Sequence, residues 1–155
     1  EQLMRAVVQL RGEIDMEQGQ RDTLDMLNIG RVNHAALVPE EDTYDGMVSK
    51  VNDFVAFGEP SVETLTLVLE KRANALDSKA EVDADWLAEN TDYDSFEALA
   101  EALLAEETTL REQNLSPTLR LHPPRGGHDG IKHPDSTGGE LGPHEDIDPL
   151  LEAMR

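Results

Sequence analysis

The chain has 155 residues, with 33 acids against 13 bases for a net charge of −20, and no cysteine. That length suits one domain, or one small domain with an extension, and the missing thiols exclude disulfides, thiolate zinc sites and cysteine nucleophiles. No apolar run approaches the ~18–20 residues of a membrane span, and the first residues lack a signal-peptide pattern, so a cytosolic protein is expected.

The acids are spread along helical faces and loops, without the unbroken blocks of a disordered acidic tail. Two explanations compete: an acidic interaction protein, or an ordinary fold adapted to molar salt, where a screening length of ~3 Å removes most self-repulsion. The distribution is more telling than the total. Residues 1–58 hold eleven acids and five bases, and residues 59–114 fifteen and four. Residues 115–134 hold Asp129 against Arg120, Arg125 and Lys132, and residues 135–155 six acids and one base. One window is therefore positive in a strongly acidic chain, and it also carries His122, His128 and His133.

In chain order, Ala6-Val7-Val8-Gln9-Leu10 is a β-rich apolar run closed by Arg11-Gly12, a first strand. Residues 20–28 place Leu24 and Leu27 on one side of a short amphipathic helix that stops near Gly30. Residues 32–38 read as a second strand ended by Pro39. Tyr44, Met47, Val51 and Phe54 recur at helical spacing, and Val55-Ala56-Phe57-Gly58 is a brief third strand. This β-α-β-α-β order predicts an α+β core over residues 1–58, with a small three-stranded antiparallel sheet and both helices on one face.

Residues 59–114 read as a helical extension. Ser61 caps a helix carrying Val62, Leu65, Val68, Leu69 and Leu76; residues 77–85 form a loop. Asp94 with Glu97 makes a capping box for a helix carrying Phe96, Leu99, Leu103 and Leu110, while Trp86 and Tyr93 supply local core rather than a stacking platform. Residues 115–155 are a basic loop segment and a C-terminal helix that packs back on the core. In residues 118–122, Leu119 and Leu121 face inward and Arg120 and His122 outward. Asp148 caps the last helix, with Pro149 at its first position.

The window LRLHPPRGGHDGIKHP is the strongest candidate for recognition. Arginine forks suit phosphate oxygens, glycines let a backbone approach closely, and prolines stiffen the loop. A solvated glycine-rich loop is the plain alternative; local positive charge, paired outward faces, rigidity and glycine together favour RNA contact. The histidines match no familiar metal-ligand spacing, and no nucleophile elbow or zinc-protease motif occurs. Arg31, Asn33 and His34 form a second basic and polar group, and Lys50 follows Tyr44 and Gly46 on the second helix.

These blocks together resemble the L-thirty family of archaeal large-subunit ribosomal proteins, whose eukaryotic counterpart is L-seven. The resemblance runs through Val7-Val8-Gln9-Leu10-Arg11-Gly12, Thr23-Leu24-Asp25-Met26-Leu27, Val32-Asn33-His34, Gly46-Met47-Val48 and Lys50-Val51. It continues through LSPTLRLHPPRGG, GIKHP and GGELG between Leu115 and Gly142, and covers essentially the whole chain. It implies a βαβαβ core related to ferredoxin-like folds, 23S rRNA binding, help in attaching 5S rRNA, neighbouring ribosomal proteins as partners, and no catalysis or cofactor. Carried over residue by residue, it favours Arg31, His34, Tyr44, Gly46 and Lys50 in the core. In the tail it favours Arg120, His122, Pro124, Arg125, Gly126, Gly127, Lys132 and His133. Asp45 stands where the family has arginine, His128 and Asp129 where it has an aromatic and a lysine, and His133 where it has arginine. Each departure lowers positive charge, as salt adaptation predicts.

The expected function is thus a structural constituent of the ribosome in a salt-loving archaeon. The competing readings are an acidic protein-interaction module and a small metal-dependent hydrolase.

Overall fold

In the computed structural model, residues 4–12, 14–127 and 139–155 are described. Strand β1 (Met4–Gln9) lies between β2 (His34–Pro39) and β3 (Val55–Gly58), antiparallel to both, so that Val7 faces Ala36 on one side and Phe57 on the other. Alternation divides the side chains between two cores. Val7, Ala36, Val38 and Val55 point towards α1 (Gln18–Met26) and α2 (Asp42–Lys50), meeting Leu24, Leu27, Val48 and Val51. Met4, Ala6, Val8, Ala35 and Ala56 point the other way. There they meet α3 (Val62–Arg72), α5 (Phe96–Leu104) and α6 (Asp148–Met154) through Leu65, Leu69, Leu103, Leu151 and Met154. Covering both faces explains why β1 is apolar almost throughout; each fully buried leucine contributes roughly 1.5–3 kcal/mol.

The sheet is larger than expected. Its order is β4-β2-β1-β3-β5, with β4 (Leu119–Arg120) antiparallel to β2 and β5 (Gly142–Pro143) parallel to β3. The alternation of residues 118–122 points to β4 though not to its partner strand, whereas the two residues of β5 carry no alternating run that could reveal them. Each covers a sheet edge that would otherwise expose unpaired backbone groups. At Gly58 a Cβ would stand 2.9 Å from the His144 carbonyl oxygen and 3.1 Å from Ile147 Cβ, so close strand approach requires glycine there.

Helix boundaries shift from the expected ones for local reasons. α1 ends with Asn28 at φ 66, and Ile29 N–H reaches back to Leu24 O, closing the helix before Gly30. α2 stops at Lys50, which leaves Val51 and Phe54 buried in the following turns. Ser61 caps α3 as expected, its hydroxyl accepting from Thr64 N–H, but the helix ends before Leu76. Residues 84 and 85, expected in a loop, open the short helix α4 (Ala84–Asn90), with Asp83 accepting from Trp86 N–H. Ser95, not Asp94, caps α5; that helix ends at Leu104, and Leu110 is buried in a later turn. Ile147 rather than Asp148 caps α6, and Asp148 Oδ1 instead accepts from Ser61 N–H at 2.9 Å. That bond joins α6 to the start of α3. Trp86 and Tyr93 are half-buried against the second core.

Beyond the ends of β2 and β3, Glu40 is hydrogen-bonded to Glu59, and that bond, burial and the neighbouring charge push the Glu40 carboxyl up to about 7. A carboxyl raised above its usual range stabilises the fold at low pH and loses that contribution as pH rises towards about 7. Glu40→Gln should therefore stabilise the protein at pH 8 in low salt, by at most about 1 kcal/mol for so exposed a pair. The gain should fade at pH 5 and in molar KCl, as denaturant midpoints across pH and salt will show.

Candidate nucleic-acid interface

Pairing of β4 with β2 brings together two groups far apart in the chain. His34 and Arg120 are register partners, and Leu121 N–H donates to Asn33 O at 2.9 Å just beyond them. His34 N–H in turn donates to Arg31 O at 3.1 Å, so Arg31 lies in the turn that leads into the same strand. Leu119 and Leu121 are buried while Arg120 and His122 are exposed, which is the alternation expected of residues 118–122. The regular strand nevertheless covers only Leu119–Arg120, because His122 N–H is diverted to Met154 O at 2.7 Å.

The diversion anchors the loop that follows. Arg125 N–H donates to Ala153 O at 3.0 Å, so the last turn of α6 supplies carbonyls to two loop amides that a helix end leaves available. Gly127 N–H closes a turn onto Pro124 O at 3.1 Å, and Gly126 within it has φ 84. Only glycine adopts that conformation without strain. His122 Nδ1 lies 2.7 Å from Pro123 O. The loop from Pro123 to Gly127 thus stands out from the surface on a rigid base, with Arg125 exposed.

Arg31, Arg120 and Arg125 make no ion pair among the described residues, although the chain has 33 carboxylates. Burial first, then repulsion from Arg120 and Arg31, pushes His34 below its ordinary pKa. The imidazole is therefore neutral at physiological pH, able to donate from one ring nitrogen and accept at the other. Two unneutralised guanidinium forks around a neutral hydrogen-bonding ring suit phosphate and sugar contacts.

The α2 residues fall elsewhere. Tyr44 is half-buried and lines a cleft with Met26, Asn28 and Pro117, where Thr118 Oγ1 donates to Asn28 O at 2.6 Å, so this cleft adjoins the entry to β4. Gly46 is exposed, with nothing within 4 Å of an added Cβ. Glycine inside a helix costs about 1 kcal/mol relative to alanine, and nothing within the fold requires it there. Lys50 sits apart, its Nζ over Gly19 at the start of α1. Asp45 binds Arg5 at 2.6 Å, which neutralises charge beside Gly46. Lys132 and His133, like His128 and Asp129, lie outside the described residues. Among the described residues no three His, Asp or Glu groups converge as a metal site.

One edge of the two-faced α+β sheet thus carries arginines that make no ion pair among the described residues, in a chain of net charge −20. A family profile described as Ribosomal protein L30p/L7e matches residues 6–55. The chain is 68% identical to large ribosomal subunit protein uL30 of Haloarcula marismortui and 64% identical to that of Natronomonas pharaonis, each time over 98% of this chain and the whole relative. The protein of the same name from Methanosphaera stadtmanae is 43% identical over 97% of this chain and 99% of its own length. The chain belongs to the ribosomal protein L30p/L7e family, in its haloarchaeal form.

A depressed histidine adds stability above its unfolded pKa of about 6.5 that is lost as pH falls through the folded value. NMR titration should find His34 below 6.5 in the free protein. Arg120→Ala should raise it while leaving it under 6.5, because burial is the larger cause. Titration of His34 above 6.5 in the free protein would contradict this electrostatic picture.

Proposed function

We propose that this structural constituent of the large ribosomal subunit binds 23S rRNA through the edge formed by β2, β4 and the loop after it, and helps attach 5S rRNA. Membership of a large-subunit ribosomal family makes it a component of the cytoplasmic ribosome, without catalytic work. The observation that carries the RNA reading is the juxtaposition of Arg31, His34 and Arg120 by strand pairing, with Arg31, Arg120 and Arg125 in no ion pair among the described residues. Arg120 and Arg125 hold phosphates, while His122, Pro124, Gly126 and Gly127 let the RNA backbone approach closely; Lys132 and His133 extend the same basic segment. Tyr44, Gly46 and Lys50 add contacts from α2, where a missing side chain at Gly46 leaves room for a second backbone. Such contacts fix the relative position of RNA segments and carry little base readout. Neighbouring ribosomal proteins complete the ribonucleoprotein environment.

Reconstitution with large-subunit rRNA in molar KCl tests the assignment. One lost charge-assisted contact costs about 1.5–3 kcal/mol, so Arg120→Ala and Arg125→Ala should each weaken association roughly ten- to hundredfold. Lys71→Ala, in the acidic extension, should not. Gly46→Leu should keep or raise thermal stability yet weaken association. Equal losses for Arg125→Ala and Lys71→Ala would place the RNA face elsewhere.

A further inference from the structure

Strand β4 covers only part of the sheet edge it joins. Its partners on β2 are His34 and Ala35, whereas β2 runs on to Pro39. Leu121 N–H donates to Asn33 O, so in this ladder the odd-numbered residues of β2 turn their backbone groups outward and the even-numbered ones turn theirs to β1. Leu37 N–H, Leu37 O and Pro39 O therefore point out along the edge beyond Ala35. Continued in register, the residue opposite Leu37 is Pro117, which has no N–H to give. Among the described residues none of these three groups has a partner on that side. The same stretch borders a cleft of about 260 Å³, walled by Met26, Leu27, Leu103, Leu110 and Pro117. Met26 is 63% exposed there, an apolar side chain left without cover. Small-molecule pockets usually measure ~300–1,000 Å³, so the cleft suits a side chain better than a whole ligand.

Unpaired backbone groups in line with an apolar cleft are what an added strand uses: pairing docks it, and the pocket selects its side chains. Charge narrows the choice of occupant. Exposed acids follow the walls, with Asp25 next to Met26, Glu112 next to Arg111, Glu41 one residue removed from Pro39 and Glu107 one removed from Thr109. Over the same reach the bases are Arg111 and Arg5, and Arg5 is bound to Asp45. RNA fits poorly, because two of the three edge groups are acceptors, phosphate brings more acceptors, and the acids repel it. A second copy of this chain would bring its own charge of −20. An extended peptide supplies both N–H and C=O groups, and lysines or arginines along it answer the acids.

We infer that the open end of the β2 edge receives an extended, lysine- or arginine-rich segment of another large-subunit protein. The segment adds as a short strand in line with β4 and places one apolar side chain in the cleft. The inference rests on membership of the large subunit and is independent of the proposed RNA edge. Hydrogen exchange tests it first. In the free chain in molar KCl the Leu37 amide should exchange at least roughly tenfold faster than those of Ala36 and Val38, which face β1. In assembled large subunits Leu37 should become protected. Met26→Cys carrying a benzophenone maleimide, assembled into large subunits, should then crosslink to one basic peptide of another protein, identified by sequencing. Adding Leu37→Pro removes the outward N–H, which an edge strand tolerates. It should cut that crosslink roughly tenfold while rRNA association is kept. Exchange of Leu37 in the native chain decides alone if circular dichroism shows that Leu37→Pro is unfolded. Leu37 equally unprotected free and in the subunit would overturn the proposal. So would a crosslink to rRNA, to a second copy or to an acidic segment, or none outside the chain.

Discussion

Two residues of strand pairing organise the functional side of this molecule. β4 joins β2 only through His34–Arg120 and Ala35–Leu119, a ladder too short to persist on its own. What holds it is burial of Leu119 and Leu121 in the core shared with α3, α5 and α6, together with the bonds from His122 and Arg125 to the end of α6. The terminal helix is held in turn by Asp148 at the start of α3. The extension and the C-terminal helix therefore position the basic segment, and the central sheet supplies the edge it docks against. Loosening α6 would release Arg120 and Arg125 without altering either side chain.

The same arrangement would reconcile a charge of −20 with the proposed polyanionic partner. Counterion release drives ordinary RNA binding and weakens with salt. On the proposed RNA edge few bases would face the partner, and the surrounding carboxylates would repel phosphate most strongly when ionic strength is low. Near 1 M salt the screening length is ~3 Å, so distant carboxylates become nearly invisible to the RNA while hydrogen bonds at contact distance survive. Arg31, Arg120 and Arg125, in no ion pair among the described residues, would stay available for the proposed contacts in an acidic chain.

Much of this was legible in the amino acids. The β-α-β-α-β order, the third strand, the Ser61 cap and the in–out alternation of residues 118–122 all follow from local periodicity and capping chemistry, which do not depend on distant residues. Alternation marked residues 118–122 as extended, but neither their pairing with β2 nor the two-residue strand β5 was legible, because both depend on tertiary neighbours rather than on pattern. Helix ends drifted where Asn28 or Glu106 adopts a left-handed conformation without glycine to announce it. Arg31, His34 and Arg120 could be singled out one by one, but only strand pairing shows that they share an edge.

The central claim is that the β2 edge and the segment after β4 form one RNA face. The chain has no cysteine, so a single introduced thiol can carry an iron chelate that cuts nearby RNA with hydroxyl radicals. Probes at Val32→Cys and His122→Cys should cut overlapping stretches of large-subunit rRNA, while a probe at Glu89→Cys on α4 should leave those stretches intact. Cleavage from Glu89→Cys, with none from the other two, would contradict the account.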